Sequence, residues 1–153
     1  MKTALALVLA AGLSGLVGCR SSGSGPTDGN EPVPATNAAA EKAAVEVAET
    51  WLKAVDGGQY AESWGQAAEY MRKAVTEDLW AKQMQAVRAP LGKLISREVA
   101  SKQYATSLPG APDGEYVVIQ FKTSFENKES AVETVTPMRE NDGTWRVSGY
   151  YIK

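Results

Sequence analysis

The chain has 153 residues, a formal net charge of −2, one cysteine and no histidine. Its length predicts one domain, and residues 1–37 differ in composition from the remainder. Because Lys and Arg are scattered among Asp and Glu, we predict no nucleic-acid partner, which would require clustered basic side chains. The missing histidine excludes a Ser-His-Asp triad, a Cys-His pair and a histidine-bearing zinc site. The single cysteine excludes an internal disulfide, and no motif predicts a cofactor or a metal site.

Residues 1–18 have the pattern of a bacterial signal peptide. Lys2 supplies the positive charge near the start, an apolar run covers residues 4–13, and small residues lead to Gly18. The run is shorter than the about 20 apolar residues that a spanning helix needs. We therefore expect cleavage between Gly18 and Cys19.

The segment Leu16-Val17-Gly18-Cys19 resembles the lipobox of bacterial lipoproteins, in which the cysteine receives a diacylglycerol and becomes the new N-terminus. This resemblance implies lipidation of Cys19, with palmitate among the acyl chains, and a membrane as partner. Two or more acyl chains hold a protein stably, whereas one does not. The alternative is an ordinary secretory leader with an incidental free thiol.

The residue after the cysteine indicates in which membrane a lipoprotein is expected to lie. In enteric-type lipoproteins an Asp there is the signal for staying in the inner membrane, and this chain has Arg20. The resemblance therefore implies a lipid-anchored protein of the cell envelope, on the periplasmic face of the outer membrane.

Residues 19–37 are predicted to be a lipid-anchored flexible linker. They are rich in Gly, Ser and Pro and have few apolar side chains, so burial cannot offset the entropy lost on ordering. A flexible coil of this length spans on the order of 25 Å. The linker would hold the domain, residues 38–153, clear of the lipid headgroups.

Helical spacing of apolar residues predicts three helices at the start of the domain. The first covers Ala38–Val55, with Asn37 as its N-cap, and the second runs from Tyr60 to Val75. Thr76 caps the third helix, which ends at Pro90.

After Gly92 the pattern changes to alternation of β-branched and aromatic residues with polar ones, which predicts strands. Turn signals, including Asp142-Gly143, divide this region into four strands. Pro137 cannot donate a backbone hydrogen bond, so we place it at a strand end, at a bulge or facing outward. The predicted strands cover residues 94–106, 115–125, 129–139 and 144–152. We predict an α+β domain in which three N-terminal helices pack on a four-stranded antiparallel meander sheet.

Two resemblances accompany this prediction. The order of elements, with the ending from Asp142 to Tyr151, resembles the cone-shaped nuclear-transport-factor-two-like folds, which implies a curved sheet around the helices and no particular activity. A closer resemblance over residues 39–153 rests on five segments: Trp51-Leu52, Gly58-Gln59-Tyr60 with Ser63-Trp64, Arg88 to Gly92 with Arg97, Leu108 to Phe121, and Trp145 to Tyr150. These segments resemble the bacterial family called domain of unknown function 4019, which has no settled function and so implies no chemistry.

Four residues are candidates for a pocket between the helices and the sheet. Trp64 and Tyr116 offer aromatic area with a polar group, and Glu115 and Glu133 are the acids placed at or within a strand. The alternative for the aromatic residues is ordinary core packing. We assign no catalytic residue.

Four arginines are candidates for an anion site because guanidinium groups suit carboxylate and phosphate. The alternative is structural ion pairs, with Arg88 capping the end of its helix. The four residues are Arg88, Arg97, Arg139 and Arg146.

The sequence favours a non-catalytic binding or protein-interaction module of the bacterial envelope, whose partner is an envelope protein or a small ligand. The alternative is a small isomerase-like or dehydratase-like enzyme with a pocket between helices and sheet. Such chemistry can use a buried carboxylate without histidine.

Overall fold

The computed structural model describes residues 35–153. The predicted signal peptide, the cleavage and lipidation positions Gly18 and Cys19, and the predicted linker up to residue 34 lie outside the described residues. Within residues 35–153, no helix combines the length and the apolar character needed to cross a membrane.

The described chain forms helices first and then a sheet, so the predicted α+β class and the order of its parts are confirmed. The elements are α1 Ala35–Asp56, α2 Tyr60–Gly65, α3 Glu69–Ala74, α4 Glu77–Arg88, a 3-10 helix Ala89–Leu91, β1 Leu94–Ala105, β2 Tyr116–Phe125, β3 Lys128–Arg139 and β4 Trp145–Ile152. The strands form one antiparallel sheet in the order β1-β2-β3-β4, as the predicted meander requires.

The first helix begins earlier than predicted. It starts at Ala35, so Asn37 lies within α1 and is not its N-cap. Its buried side chains recur at helical spacing and pack against the sheet, which places α1 in the core. These side chains are Ala44, Ala48, Trp51, Leu52 and Val55.

The predicted second helix, from Tyr60 to Val75, is wrong as a single element because the structure divides it into α2 and α3. Ala68 has an extended backbone, with φ −60° and ψ 150°. Its N–H donates to the carbonyl oxygen of Val147 on β4 at 2.8 Å, and not to a carbonyl one turn back in a continuous helix. A contact with a strand that comes much later in the chain therefore interrupts the helical pattern, and three predicted helices become four.

One face of the sheet packs on the helices and is called the inner face. Strand β2 alternates as predicted, with Val117, Ile119 and Phe121 all at most 1% exposed toward the helices. The opposite face, the outer face, carries the alternate residues, such as Val118 and Gln120. This alternation is the expected consequence of burying one side of an antiparallel sheet.

A bulge in β4 changes which residues face the core. Pro137 pairs with Val147, but its neighbour Thr136 pairs with Gly149, so Ser148 is the extra residue. Pro137 thus lies at a bulge, one of the positions predicted for it. Because a bulge shifts the alternation by one residue, Val147 and Tyr150 both face inward.

Candidate functional site

A set of polar side chains lies between the helices and the inner face of the sheet, where most neighbours are apolar. Each of the two long helices and each of the four strands contributes one member. We call this set the buried ion cluster. Its members are Asp56, Arg88, Arg97, Thr123, Glu133 and Tyr150.

Glu133 is the centre of the cluster and is 0% exposed. Its Oε1 accepts hydrogen bonds from Arg88 Nη1 at 3.0 Å and from the Tyr150 hydroxyl at 2.6 Å. Its Oε2 accepts from Arg97 Nε at 2.6 Å and from the Thr123 hydroxyl at 2.7 Å. Four donors therefore satisfy both oxygens of this carboxylate.

Asp56, at the end of α1, joins the two arginines on their other side. Arg97 donates to it through Nη1 at 2.6 Å and Nη2 at 2.9 Å, which is a bidentate pair. Arg88 donates to it through Nη2, and the Arg88 guanidinium lies 4.6 Å from the centre of the Phe125 ring. The expectation that Arg88 caps its helix is therefore wrong, because its guanidinium is engaged by Asp56, Glu133 and the aromatic ring.

Two members of the cluster, Tyr150 and Arg97, have pKa values shifted away from the neutral range. Burial raises the pKa of the Tyr150 hydroxyl well above its ordinary value, and the nearby charge of Glu133 adds to this rise. Burial by itself would lower the pKa of Arg97, but the hydrogen bonds and the negative charges of Asp56 and Glu133 together outweigh burial and raise that pKa overall. Tyr150 thus stays neutral and Arg97 stays charged.

The charges of the buried ion cluster cancel, because two arginines face two carboxylates. A general base needs an oxygen that can reach a substrate proton, and both oxygens of Glu133 are already engaged by protein donors. The arrangement is suited to fixing α1, α4 and the sheet relative to one another. Residues 35–153 also hold no group of three or more acidic or cysteine side chains positioned to bind a metal ion.

A separate groove lies on the outer face of the sheet, and we call it the outer-face groove. It encloses about 210 Å³. Strands β3 and β4 form its floor, the loop between β1 and β2 forms one wall, and Tyr70 of α3 contributes to another. Its lining residues are all uncharged: Tyr70, Leu108, Pro109, Ala111, Tyr116, Thr134, Thr136, Ser148, Gly149, Tyr151 and also Tyr150, although the hydroxyl of Tyr150 lies on the other side, in the buried ion cluster.

Two tyrosines of the outer-face groove are held in place by the loop. The Tyr70 hydroxyl donates to the carbonyl oxygen of Gly110 at 3.0 Å, and the Tyr116 hydroxyl donates to that of Pro112 at 2.6 Å. By contrast, the hydroxyls of Thr134, Thr136 and Tyr151 form no hydrogen bond within residues 35–153. The groove therefore combines fixed aromatic rings with hydroxyls that are available to a ligand.

The structure does not bring the four predicted pocket residues into one site. Tyr116 lines the outer-face groove and Glu133 is the centre of the buried ion cluster. Trp64 packs against the core, and its indole N–H donates to the carbonyl oxygen of Val75 at 2.8 Å. Glu115 accepts from Arg139 at 3.0 Å and from the Tyr104 hydroxyl at 2.9 Å near the surface.

All four arginines considered for an anion site form ion pairs with acids. Arg88 and Arg97 belong to the buried ion cluster, Arg139 pairs with Glu115, and Arg146 pairs with acids of the β3–β4 turn. Sequence reasoning did not find Tyr70 or Tyr151 as groove residues. The outward positions of the β3 threonines were predictable from alternation, but nothing local indicates that α3 and the loop approach them.

The β3–β4 turn supplies a prediction about ionisation. Asp142 accepts hydrogen bonds from the hydroxyl and the backbone N–H of Thr144, the latter at 2.9 Å, and from Arg146 at 3.0 Å. These contacts lower the pKa of the Asp142 carboxyl to about 2. We expect an NMR titration of this carboxyl to have its midpoint near pH 2 and Thr144→Val to raise it toward the ordinary value.

The linked effect on stability has a definite sign. Because the folded-state pKa lies below the unfolded one, the stabilisation by Asp142 is present above the unfolded pKa and is lost as the pH falls through about 2. Thr106→Val, an exposed threonine away from the turn, is the matched control and leaves the midpoint unchanged. An equal titration of Asp142 in wild type and Thr144→Val would contradict the assignment.

Comparison with known proteins identifies a family. A family model described as "Protein of unknown function (DUF4019)" matches residues 47–150, a range that runs from within α1 to within β4 and includes every member of the buried ion cluster. No curated protein matches the chain.

Proposed function

The chain belongs to the DUF4019 family, and we propose that its domain is a non-catalytic binding module of the bacterial cell envelope. The observation that carries the proposal is the outer-face groove, which is uncharged, aromatic and provided with hydroxyls that form no hydrogen bond within residues 35–153. Pockets with such a lining and a few convergent polar groups are the usual form of ligand sites.

We propose further that lipid on Cys19 holds the module at a membrane, on the periplasmic face of the outer membrane. Residues 1–18 have the order of charged start, apolar run and small residues that signal peptides share, and Cys19 follows directly. Arg20 in place of an Asp supports the outer membrane. The scattered basic residues support a ligand or protein partner and not a nucleic acid.

The described core supports a binding role in preference to an enzyme. The isomerase-like or dehydratase-like alternative needs an open pocket with an available acid between helices and sheet. In residues 35–153 that space holds the buried ion cluster and packed aromatic residues such as Trp51 and Trp80, whose ring centres are 6.0 Å apart. The order of helices and sheet supports the proposal of a cone-shaped, nuclear-transport-factor-two-like domain.

Lipidation is tested by labelling bacteria that express the chain with radioactive palmitate. We expect the wild-type protein to carry label and to sediment with membranes, and Cys19→Ala to lose both properties because no other thiol is present. Ser22→Ala, a neighbouring substitution, keeps both. Label that persists in Cys19→Ala would overturn the anchor.

Binding at the groove is tested with a photo-reactive amino acid at position 151 of the full chain in living cells. We expect a discrete crosslinked product that Gly149→Leu removes, because a side chain at Gly149 would meet Thr136 and fill the groove. Gly65→Leu, at a glycine with open space around it, keeps the product. Crosslinking that is the same in both variants would overturn the groove as the binding site.

A further inference from the structure

We propose that the outer-face groove binds an uncharged sugar unit of an envelope glycan. This inference rests on the proposed binding function and specifies its ligand. It follows from the charge, the hydrogen-bonding groups, the size and the position of the groove.

The absence of charged side chains from the groove lining favours a neutral ligand. None of the residues that line the groove is ionisable at neutral pH, since Tyr is the only titratable type among them. Burial raises the pKa of Tyr116 further above its ordinary value. A charged ligand entering this groove would lose hydration without gaining an ion pair, which is costly. The complementary ligand is therefore neutral.

The hydrogen-bonding groups are the second argument. The hydroxyls of Thr134, Thr136 and Tyr151 lack partners within residues 35–153, and each hydroxyl can both donate and accept. Sugar hydroxyls have the same dual capacity. An extended peptide strand would instead seek a row of backbone N–H and C=O groups, and the groove lies on the face of the sheet, where those groups are used between strands.

The shape of the groove is the third argument. Its volume of about 210 Å³ is smaller than the roughly 300–1,000 Å³ of sites for drug-sized ligands, which suits a single sugar ring. The ring of Tyr70 is fixed by its bond to the loop and is only half-buried, so it offers apolar surface to the C–H face of such a ring, while the buried Tyr116 supports the loop behind it. Fixed walls lose little entropy when a ligand binds.

The position of the groove is the fourth argument. Near the start of α1, Glu41 pairs with Lys102 of β1 at 3.9 Å, and at its end Asp56 pairs with Arg97. Helix α1 therefore begins at the end of the sheet where β1 leads into the loop that walls the groove. The predicted flexible linker joins the domain at this end, so the groove lies at the tethered end of the domain, within reach of glycans near the membrane.

The test is titration of the full lipidated chain, in detergent micelles, with a panel of neutral oligosaccharides built from N-acetylglucosamine, glucose, galactose or mannose. We expect at least one to bind with a dissociation constant below about 1 mM and to shift the NMR signals of the Thr134 and Thr136 methyl groups. Gly149→Leu should weaken this binding at least about tenfold, and Thr136→Val by about two- to tenfold, as loss of one hydrogen bond predicts.

Gly65→Leu and Thr50→Val are the matched controls, because they make the same changes at exposed positions away from the groove and should leave binding unchanged. Thermal unfolding establishes that each variant folds. If Gly149→Leu does not fold, Tyr151→Phe and Thr134→Val carry the test, since each removes one hydroxyl.

The outcomes separate this inference from the proposed function. No binding by any neutral oligosaccharide, or binding that Gly149→Leu leaves intact, overturns the sugar ligand. Binding of a proline-rich peptide that Gly149→Leu blocks also overturns the sugar ligand, but it leaves the groove as the binding site. Crosslinking at position 151 that ignores Gly149→Leu overturns both.

Discussion

Glu133→Gln is expected to lower the free energy of unfolding by about 3–5 kcal/mol, the usual cost of breaking a buried ion pair. Each oxygen of Glu133 accepts two hydrogen bonds. Oε1 accepts from Arg88 and Tyr150, and Oε2 accepts from Arg97 and Thr123. The amide nitrogen of Gln would place a donor against an arginine N–H, which cannot accept, and the charges of the two arginines would no longer be balanced. Urea unfolding followed by circular dichroism measures the loss.

Glu129→Gln is the matched control for this prediction. It makes the same change on the same strand, but at an exposed position. We expect its free energy of unfolding to stay within about 0.5 kcal/mol of wild type, as for most surface substitutions. A loss below about 1 kcal/mol in Glu133→Gln would contradict the view that the buried ion cluster depends on this carboxylate.

Gly92→Ala is the second substitution expected to have a large effect. Gly92 joins the 3-10 helix to β1 with φ 74° and ψ −160°, a conformation that only glycine adopts readily. An added Cβ would lie 2.8 Å from Oε2 and 2.9 Å from Cβ of Glu126. Because the Cβ of Glu126 is bonded directly to the backbone of the β2–β3 turn, the turn itself would have to move.

Two backbone hydrogen bonds hold the turn in place. The N–H of Glu126 donates to the carbonyl oxygen of Lys93 at 3.0 Å, and the N–H of Asn127 donates to that of Leu91 at 2.9 Å. Backbone strain of about 1–3 kcal/mol and overpacking of about 1–3 kcal/mol together predict a loss of about 2–6 kcal/mol in the free energy of unfolding. Differential scanning calorimetry of the full chain measures it.

Gly65→Ala is the control, because the added Cβ meets nothing within 4 Å and the backbone is not left-handed. We expect a change of less than about 1 kcal/mol, with alanine favoured in the helix. If Gly92→Ala were as stable as Gly65→Ala, the junction between helices and sheet would be less constrained than its contacts indicate.

The sequence by itself determined the features that depend on neighbouring residues. Alternation predicted β2 and β3 to within one residue of their observed bounds. The type of residue at Thr76 identified the cap of α4, and the Thr76 hydroxyl accepts from Leu79 N–H at 3.4 Å. Such patterns are local because a strand or a helix exposes each side chain at a fixed interval. The absence of histidine likewise excluded whole classes of site before any fold was known.

Only the tertiary structure decided the features that depend on residues far apart in the chain. Ala68 interrupts a helical pattern because it bonds to Val147, and the extra residue Ser148 turns Tyr150 toward Glu133. No local pattern indicates either event, because each is stabilised by a partner that the chain reaches only after folding.

The buried ion cluster and the outer-face groove are both assembled from residues that lie far apart in the chain. The buried ion cluster needs one residue from each of six elements, and the outer-face groove needs α3 and a loop to meet over the sheet. A single sequence shows which residue types are available, but the pairing of an acid with a given arginine is decided by packing. The sequence therefore determined the class of fold and the exclusion of histidine chemistry, and long-range packing decided where the polar groups meet.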